Sequence, residues 1–221
     1  MLLNKKYDYN FFCTLGLFFM SIICGLMVLV KYVLVGSGVY FYLIWNLFLS
    51  WIPYGISLIM DTICHSKRMT RKGLLLFILG AVWLLFYPNA PYMITDFIHL
   101  QQHGGFLIWY DLAVFTLFIW TSFLLGYMSI YLVFRMISTK FNPFWGGIFV
   151  FIVLYISSYA IYLGRFMRWN SWDILANPIA LLISMLQNLN YQSVIFSILF
   201  GTILTLIYGF LYIMSHLGVK R

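Results

Sequence analysis

Six apolar stretches of bilayer length succeed one another along this chain, at about 11–30, 39–60, 72–87, 112–134, 147–164 and 191–214. A helix of about 20 apolar residues, rising 1.5 Å per residue, crosses the roughly 30 Å hydrocarbon core of a bilayer. Each stretch therefore predicts a transmembrane helix. The third is short, uninterrupted only from Leu74 to Tyr87, and it stops at Tyr87-Pro88-Asn89-Ala90-Pro91-Tyr92. Two prolines there break the helix and remove backbone donors. Non-helical backbone at membrane depth survives only where protein buries it or where it lines a wet cavity. The turn is thus a candidate wall of a polar chamber, the alternative being an ordinary turn leaving the membrane. A further apolar stretch near 174–189 is broken by Asn177-Pro178 and is too short to span, so it predicts an interfacial or re-entrant helix. The first stretch follows Lys5 and Lys6 as a signal peptide would. Its apolar run is longer than the roughly 7–15 residues of a cleaved signal, which predicts a retained span.

Composition agrees with this pattern. The chain is 64% hydrophobic and carries only 8% charged residues, against about 25% in soluble domains, so it has too few charges to cover a water-facing surface. The segments between spans are too short to fold alone, and residues 1–221 read as a single integral membrane domain. Placing the N-terminus inside leaves Lys5, Lys6, Lys67, Arg68, Arg71, Lys72, Arg135, Lys140, Lys220 and Arg221 on the cytoplasmic side, and only Lys31, Arg165 and Arg168 outside. That bias predicts an all-α, six-span helix bundle with both termini cytoplasmic. The formal charge of +8 belongs to short loops beside apolar spans, where basic residues meet anionic lipid headgroups. The partner it implies is the lipid bilayer, not nucleic acid. Cys13 and Cys24 fall in the first span and Cys64 in a predicted cytoplasmic loop, which implies no disulfide framework. No charged residue sits near the middle of a span, which argues against a proton or ion relay across the bilayer.

Polar residues that can do chemistry gather on the predicted outer side. Asp96, His99 and His103 stand at i, i+3 and i+7 and share one face if helical. A carboxylate and two imidazoles at this spacing can ligate zinc or another divalent metal. They can also form an acid/base pair in which Asp96 orients His99, or a purely structural polar network. Gly104-Gly105 follows at once and frays the helix near His103. Asp111 fits an N-cap of the fourth span, and Trp109 and Tyr110 fit an interfacial aromatic belt. At the outer end of the fifth span, Arg165 and Arg168 lie three residues apart and can clamp a phosphate or carboxylate with their planar donor forks. The alternative is that salt bridges to Asp96, Asp111 or Asp173 lock the outer loops together. Asn46 lies about 10 Å below the outer boundary at helical rise and reads as helix-packing glue or as the floor of the chamber. Asp61, His65 and the Lys67–Lys72 cluster read as a solvated loop facing lipid, with no Gly-rich phosphate cradle.

Three motifs stand out: Trp45-Asn46-Leu47-Phe48-Leu49-x-Trp51-Ile52-Pro53, Pro88-Asn89-Ala90-Pro91-Tyr92-x-x-Thr95-Asp96-x-x-His99-Leu100 and Gly164-Arg165-Phe166-x-Arg168-Trp169-Asn170-Ser171-Trp172-Asp173. Through them the chain resembles, over nearly its whole length, a bacterial family of multi-pass membrane proteins known as a domain of unknown function. The resemblance implies a polytopic protein of the bacterial plasma membrane and carries no activity, cofactor or catalytic residue with it. His103 lies outside these motifs.

The residues themselves lead to an outer-face site lined by Asn89, Asp96, His99, Arg165, Arg168, Asn170 and Asp173. The leading function is binding, or in an enzymatic version modification, of an anionic lipid or envelope precursor. In that picture Arg165 and Arg168 hold the anion and His99, oriented by Asp96, transfers a proton. Two other classes compete. The broken third span and the 174–189 segment fit a small-solute transporter or exporter. A membrane assembly protein without ligand would use the same polar residues only to pin its loops.

Overall fold

The computed structural model describes residues 2–36, 38–66, 72–102 and 108–217. His103, Lys67, Arg68, Arg71, Lys220 and Arg221 lie outside them. The described residues form helices α1 (Leu2–Val35), α2 (Phe41–His65), α3 (Lys72–Phe86), α4 (Asn89–Tyr92), α5 (Ile108–Lys140), α6 (Pro143–Met167), α7 (Asp173–Ala176), α8 (Pro178–Gln187) and α9 (Tyr191–Leu217), with a 3-10 segment, Met93–Gln102, after α4. No strand occurs among them. Six of these stretches are long and apolar enough to cross a membrane, so the chain is a multi-pass membrane protein.

The bundle is organised around α5, which buries residues along its whole length. Its inward face carries small and hydroxylated residues, which let neighbouring backbones approach and supply hydrogen bonds where no water competes. Ser122 Oγ lies 2.6 Å from Ser50 Oγ of α2. Ser129 Oγ donates to the Pro53 carbonyl at 2.9 Å and accepts the Trp83 indole N–H at 2.8 Å, tying α2, α3 and α5 together. The outer surfaces of α1, α3 and α9 remain apolar and exposed, with residues such as Phe19, Phe77 and Leu206 pointing away from the protein. Such a surface suits a lipid bilayer environment.

Several expectations change on folding. α2 continues to His65, so Asp61, Cys64 and His65 belong to a helix and not to a loop. Asp61 is buried, not solvated: Arg135 Nη2 of α5 lies 3.1 Å from its Oδ1 and His65 Nδ1 lies 3.6 Å from the same atom. A carboxylate removed from water needs such a partner. Asp111 sits inside the first turn of α5 instead of at its N-cap, fully buried, with Lys31 Nζ of α1 2.6 Å from its Oδ1. The Tyr40 ring adjoins this pair, with Lys31 Nζ 5.5 Å from its centroid.

The 174–189 stretch forms two short helices, α7 and α8, separated by Asn177. The ten residues of α8 rise about 15 Å, half a hydrocarbon core. α8 turns back onto the end of α6: the Trp169 indole donates to Ser184 Oγ at 2.8 Å, and Tyr159 OH donates to the Met185 carbonyl.

Candidate functional site

The break after α3 places Asn89, Thr95, Asp96 and His99 at one end of the bundle. α4 packs so closely on α5 that a Cβ at Gly126 would stand 2.9 Å from the Ala90 Cβ. Two carbonyls of the broken segment meet hydroxyls: Ser122 Oγ donates to Ala90 O at 2.7 Å, and Ser50 Oγ lies 3.3 Å from Asn89 O. The broken backbone is thus satisfied from inside the protein, as membrane depth demands. It also hands Thr95, Asp96 and His99 to one side and Asn89 to another.

On the first side lies a closed polar network. Arg165, in the last turn of α6, forms an ion pair through Nη2 with Asp96 Oδ1. Its Nε donates to Thr95 Oγ1 at 2.9 Å, its Nη1 lies 3.1 Å from His99 Nε2, and its guanidinium carbon sits 4.5 Å from the Tyr92 ring centroid. Asn46 Nδ2 of α2 donates to the other carboxylate oxygen, Asp96 Oδ2, at 3.1 Å. A guanidinium only donates and does not deprotonate in proteins. His99 must therefore accept at Nε2, which makes it a neutral imidazole with its proton on Nδ1.

The direct Asp96–His99 pair is not formed, because the Arg165 guanidinium stands between carboxylate and imidazole. No group of three or more His, Cys, Asp or Glu side chains able to hold a metal occurs among the described residues, and His103 is not among those.

On the second side a cleft of about 440 Å³ opens between α2, the break and the α6–α8 hairpin. Its polar lining comes from Asn46, Asn89, Tyr92, Arg168, Asn170 and Ser171. Its apolar lining includes Trp45 and Trp172, whose rings stack edge-to-face 6.3 Å apart. Arg165, Asp96, His99 and Asp173 form no part of its wall. Arg168 ends α6 in the left-handed conformation (φ 59°, ψ 31°), the position where glycine usually terminates a helix. It is exposed and makes no ion pair among the described residues. The expected pairing with Asp173 does not occur. Asp173 Oδ2 instead accepts the Asn170 backbone N–H at 2.7 Å and closes the turn that follows α6.

A model of the family described as protein of unknown function, DUF1361, matches residues 45–207. The chain belongs to this family. No curated protein and no solved structure matches it. The DUF1361 match begins at Trp45, on the cleft wall, and ends within α9, so it takes in the whole network and the whole cleft.

Within the DUF1361 segment, the candidate ligand residues divide. Asn89, Arg168 and Asn170 face the cleft, Arg165 serves the network, and Asp173 shapes the loop between them. Asn46 does both: it packs α2 against the 3-10 segment through Asp96, and it lines the cleft. Sequence reasoning overlooks Thr95, Tyr92 and Ser171. Thr95 adjoins Asp96 and Tyr92 lies one helical turn before it, a spacing that signals a shared surface. Ser171 accepts from Asn89 Nδ2 at 2.9 Å and donates to Leu85 O at 3.1 Å, a bond from the loop to α3 that no local pattern announces.

Proposed function

We propose that this protein binds an anionic amphiphile, an envelope lipid or lipid-linked precursor, in the cleft between α2, the α3–α4 break and the α6–α8 hairpin. The observation that carries this reading is the contrast among the three cations at this end of the bundle. Lys31 is ion-paired with Asp111 and Arg165 with Asp96, while Arg168 lines the cleft without a counter-ion among the described residues. Its left-handed backbone adds a second argument. A non-glycine residue there costs about 1–2 kcal/mol, and observed strain of this kind clusters where a side chain has work to do. A guanidinium takes phosphate through two parallel hydrogen bonds.

The cleft volume of about 440 Å³ lies within the ordinary range for ligand sites, roughly 300–1,000 Å³. Beside it, α8 presents Ile179 and Leu186, 72% and 76% exposed, a bed against which acyl chains can lie. In this reading the Arg165–Asp96–Asn46 network supports the wall and holds no ligand, and His99, engaged at Nε2, is a structural acceptor.

Arg168→Gly removes the charge at a position where glycine is the residue best suited to the backbone, so the fold is not at risk. Charged hydrogen bonds contribute about 1.5–3 kcal/mol. Binding of phosphatidic acid to the purified protein in phosphatidylcholine nanodiscs should therefore weaken by roughly 10- to 150-fold. Equal affinity in wild type and Arg168→Gly rules the reading out.

A further inference from the structure

The hydrogen-bond pattern on the cleft floor constrains what a ligand must bring. Asn46 and Asn89 both line the cleft, and both amide orientations are fixed by neighbours that can only accept. Asn46 Nδ2 faces the Asp96 carboxylate. Asn89 Nδ2 donates at 2.9 Å to the Phe86 carbonyl and at 2.9 Å to Ser171 Oγ, whose own proton is committed to Leu85 O. Each nitrogen being engaged, each Oδ1 is left without a protein donor among the described residues. Ser50 Oγ lies between their backbones, 2.9 Å from Asn46 O and 3.3 Å from Asn89 O. The floor therefore offers two acceptor oxygens, Asn46 Oδ1 and Asn89 Oδ1, that no protein donor among the described residues engages.

A bare phosphate cannot pair with these two oxygens, since it too only accepts. An ammonium can donate, yet no carboxylate lines the cleft to balance its charge, and Arg168 repels it. A neutral hydroxyl donates without that penalty. The paired indoles of Trp45 and Trp172 add flat apolar surface beside the acceptors, which suits the C–H face of a sugar or polyol ring.

We propose that the cleft selects a hydroxyl-rich headgroup, a sugar or polyol phosphate on a lipid, whose hydroxyls donate to Asn46 Oδ1 and Asn89 Oδ1 while its phosphate sits on Arg168. This rests on the anionic-amphiphile reading above and narrows it to a substrate class.

The test compares three lipids on the wild-type protein in phosphatidylcholine nanodiscs, by native mass spectrometry of lipid exchange. Phosphatidylinositol carries polyol and phosphate, phosphatidic acid the phosphate alone, and glucosyl diacylglycerol the sugar alone. Each neutral hydrogen bond is worth a factor of about 2–10 in affinity. Two such bonds predict that phosphatidylinositol binds about 4- to 100-fold more tightly than phosphatidic acid, and Asn89→Leu should narrow that ratio. Equal affinity for phosphatidylinositol and phosphatidic acid overturns the hydroxyl selection and leaves the anion site standing. Glucosyl diacylglycerol binding as tightly as phosphatidylinositol, with phosphatidic acid unbound, supports hydroxyl selection and overturns the role of Arg168. Failure of all three overturns both. The wild-type comparison holds even if Asn89→Leu does not fold.

Discussion

Arg165 and Asp96, separated by 69 residues in the chain, neutralise one another inside the bundle. The carboxylate's second oxygen receives Asn46 from α2, so α2, the 3-10 segment and α6 meet at one buried charge pair. Both side chains are largely withdrawn from solvent, Asp96 at 2% and Arg165 at 15% exposure. Removing one partner from such a pair strands the other, whereas removing both together need not.

Asp96→Leu and Arg165→Met should each destabilise the protein by about 3–5 kcal/mol, and the double variant should recover most of that loss. Denaturant unfolding in detergent micelles measures all four corners of the cycle. A double variant no more stable than the worse single one is incompatible with a mutually neutralising pair. Binding of phosphatidic acid should survive in the double variant, since neither residue lines the cleft.

Much of this was open to reading from the sequence, and the limits are instructive. In a chain with 8% charged residues, any ionisable group beside a span is conspicuous, so Asp96, His99, Arg165 and Arg168 stand out without a structure. The six helices follow from apolar length alone. The relation between the two arginines does not. A spacing of three residues puts both on one face only if the helix continues, and α6 ends at Met167. The left-handed turn at Arg168 sends its side chain elsewhere, and no glycine or asparagine marks that turn in advance. The partners of Asp96 and Asp111 come from α2, α6 and α1, and such distant choices follow from packing that periodicity does not encode. The amide orientations on the cleft floor are further still from sequence, because they depend on three simultaneous long-range contacts.

The two arginines should consequently behave in opposite ways when replaced. Arg165→Gly orphans Asp96 and should lower the unfolding midpoint sharply. Arg168→Gly should leave it unchanged or raise stability by up to about 1 kcal/mol, since the left-handed conformation is free to glycine and strained for arginine. Thermal unfolding of the two variants side by side separates support from ligand contact. A matching loss in both would mean that Arg168, too, is part of the scaffold.

The contact between Gly126 and Ala90 controls how deeply the broken segment seats on α5. Gly126→Ala brings a methyl 2.9 Å from the Ala90 Cβ, and overpacking of this kind costs about 1–3 kcal/mol. The added bulk should push α4 outward and weaken the Ser122–Ala90 bond. Ala90→Gly in the same chain removes the colliding methyl and should restore stability. Absence of rescue would show that the helix break is not held by this approach.

The whole reading requires the cleft to open on the side opposite the majority of the basic residues. Asn170, on the cleft wall, and Lys140, at the far end of α5, are both exposed and report opposite ends of the bundle. In a background with Cys13, Cys24 and Cys64 replaced by serine, Asn170→Cys should react with a membrane-impermeant maleimide on intact cells. Lys140→Cys should react only after permeabilisation. The reverse pattern would turn the cleft towards the cytoplasm, where an unpaired arginine follows from the charge rule alone, and would remove the reason for assigning Arg168 to a ligand.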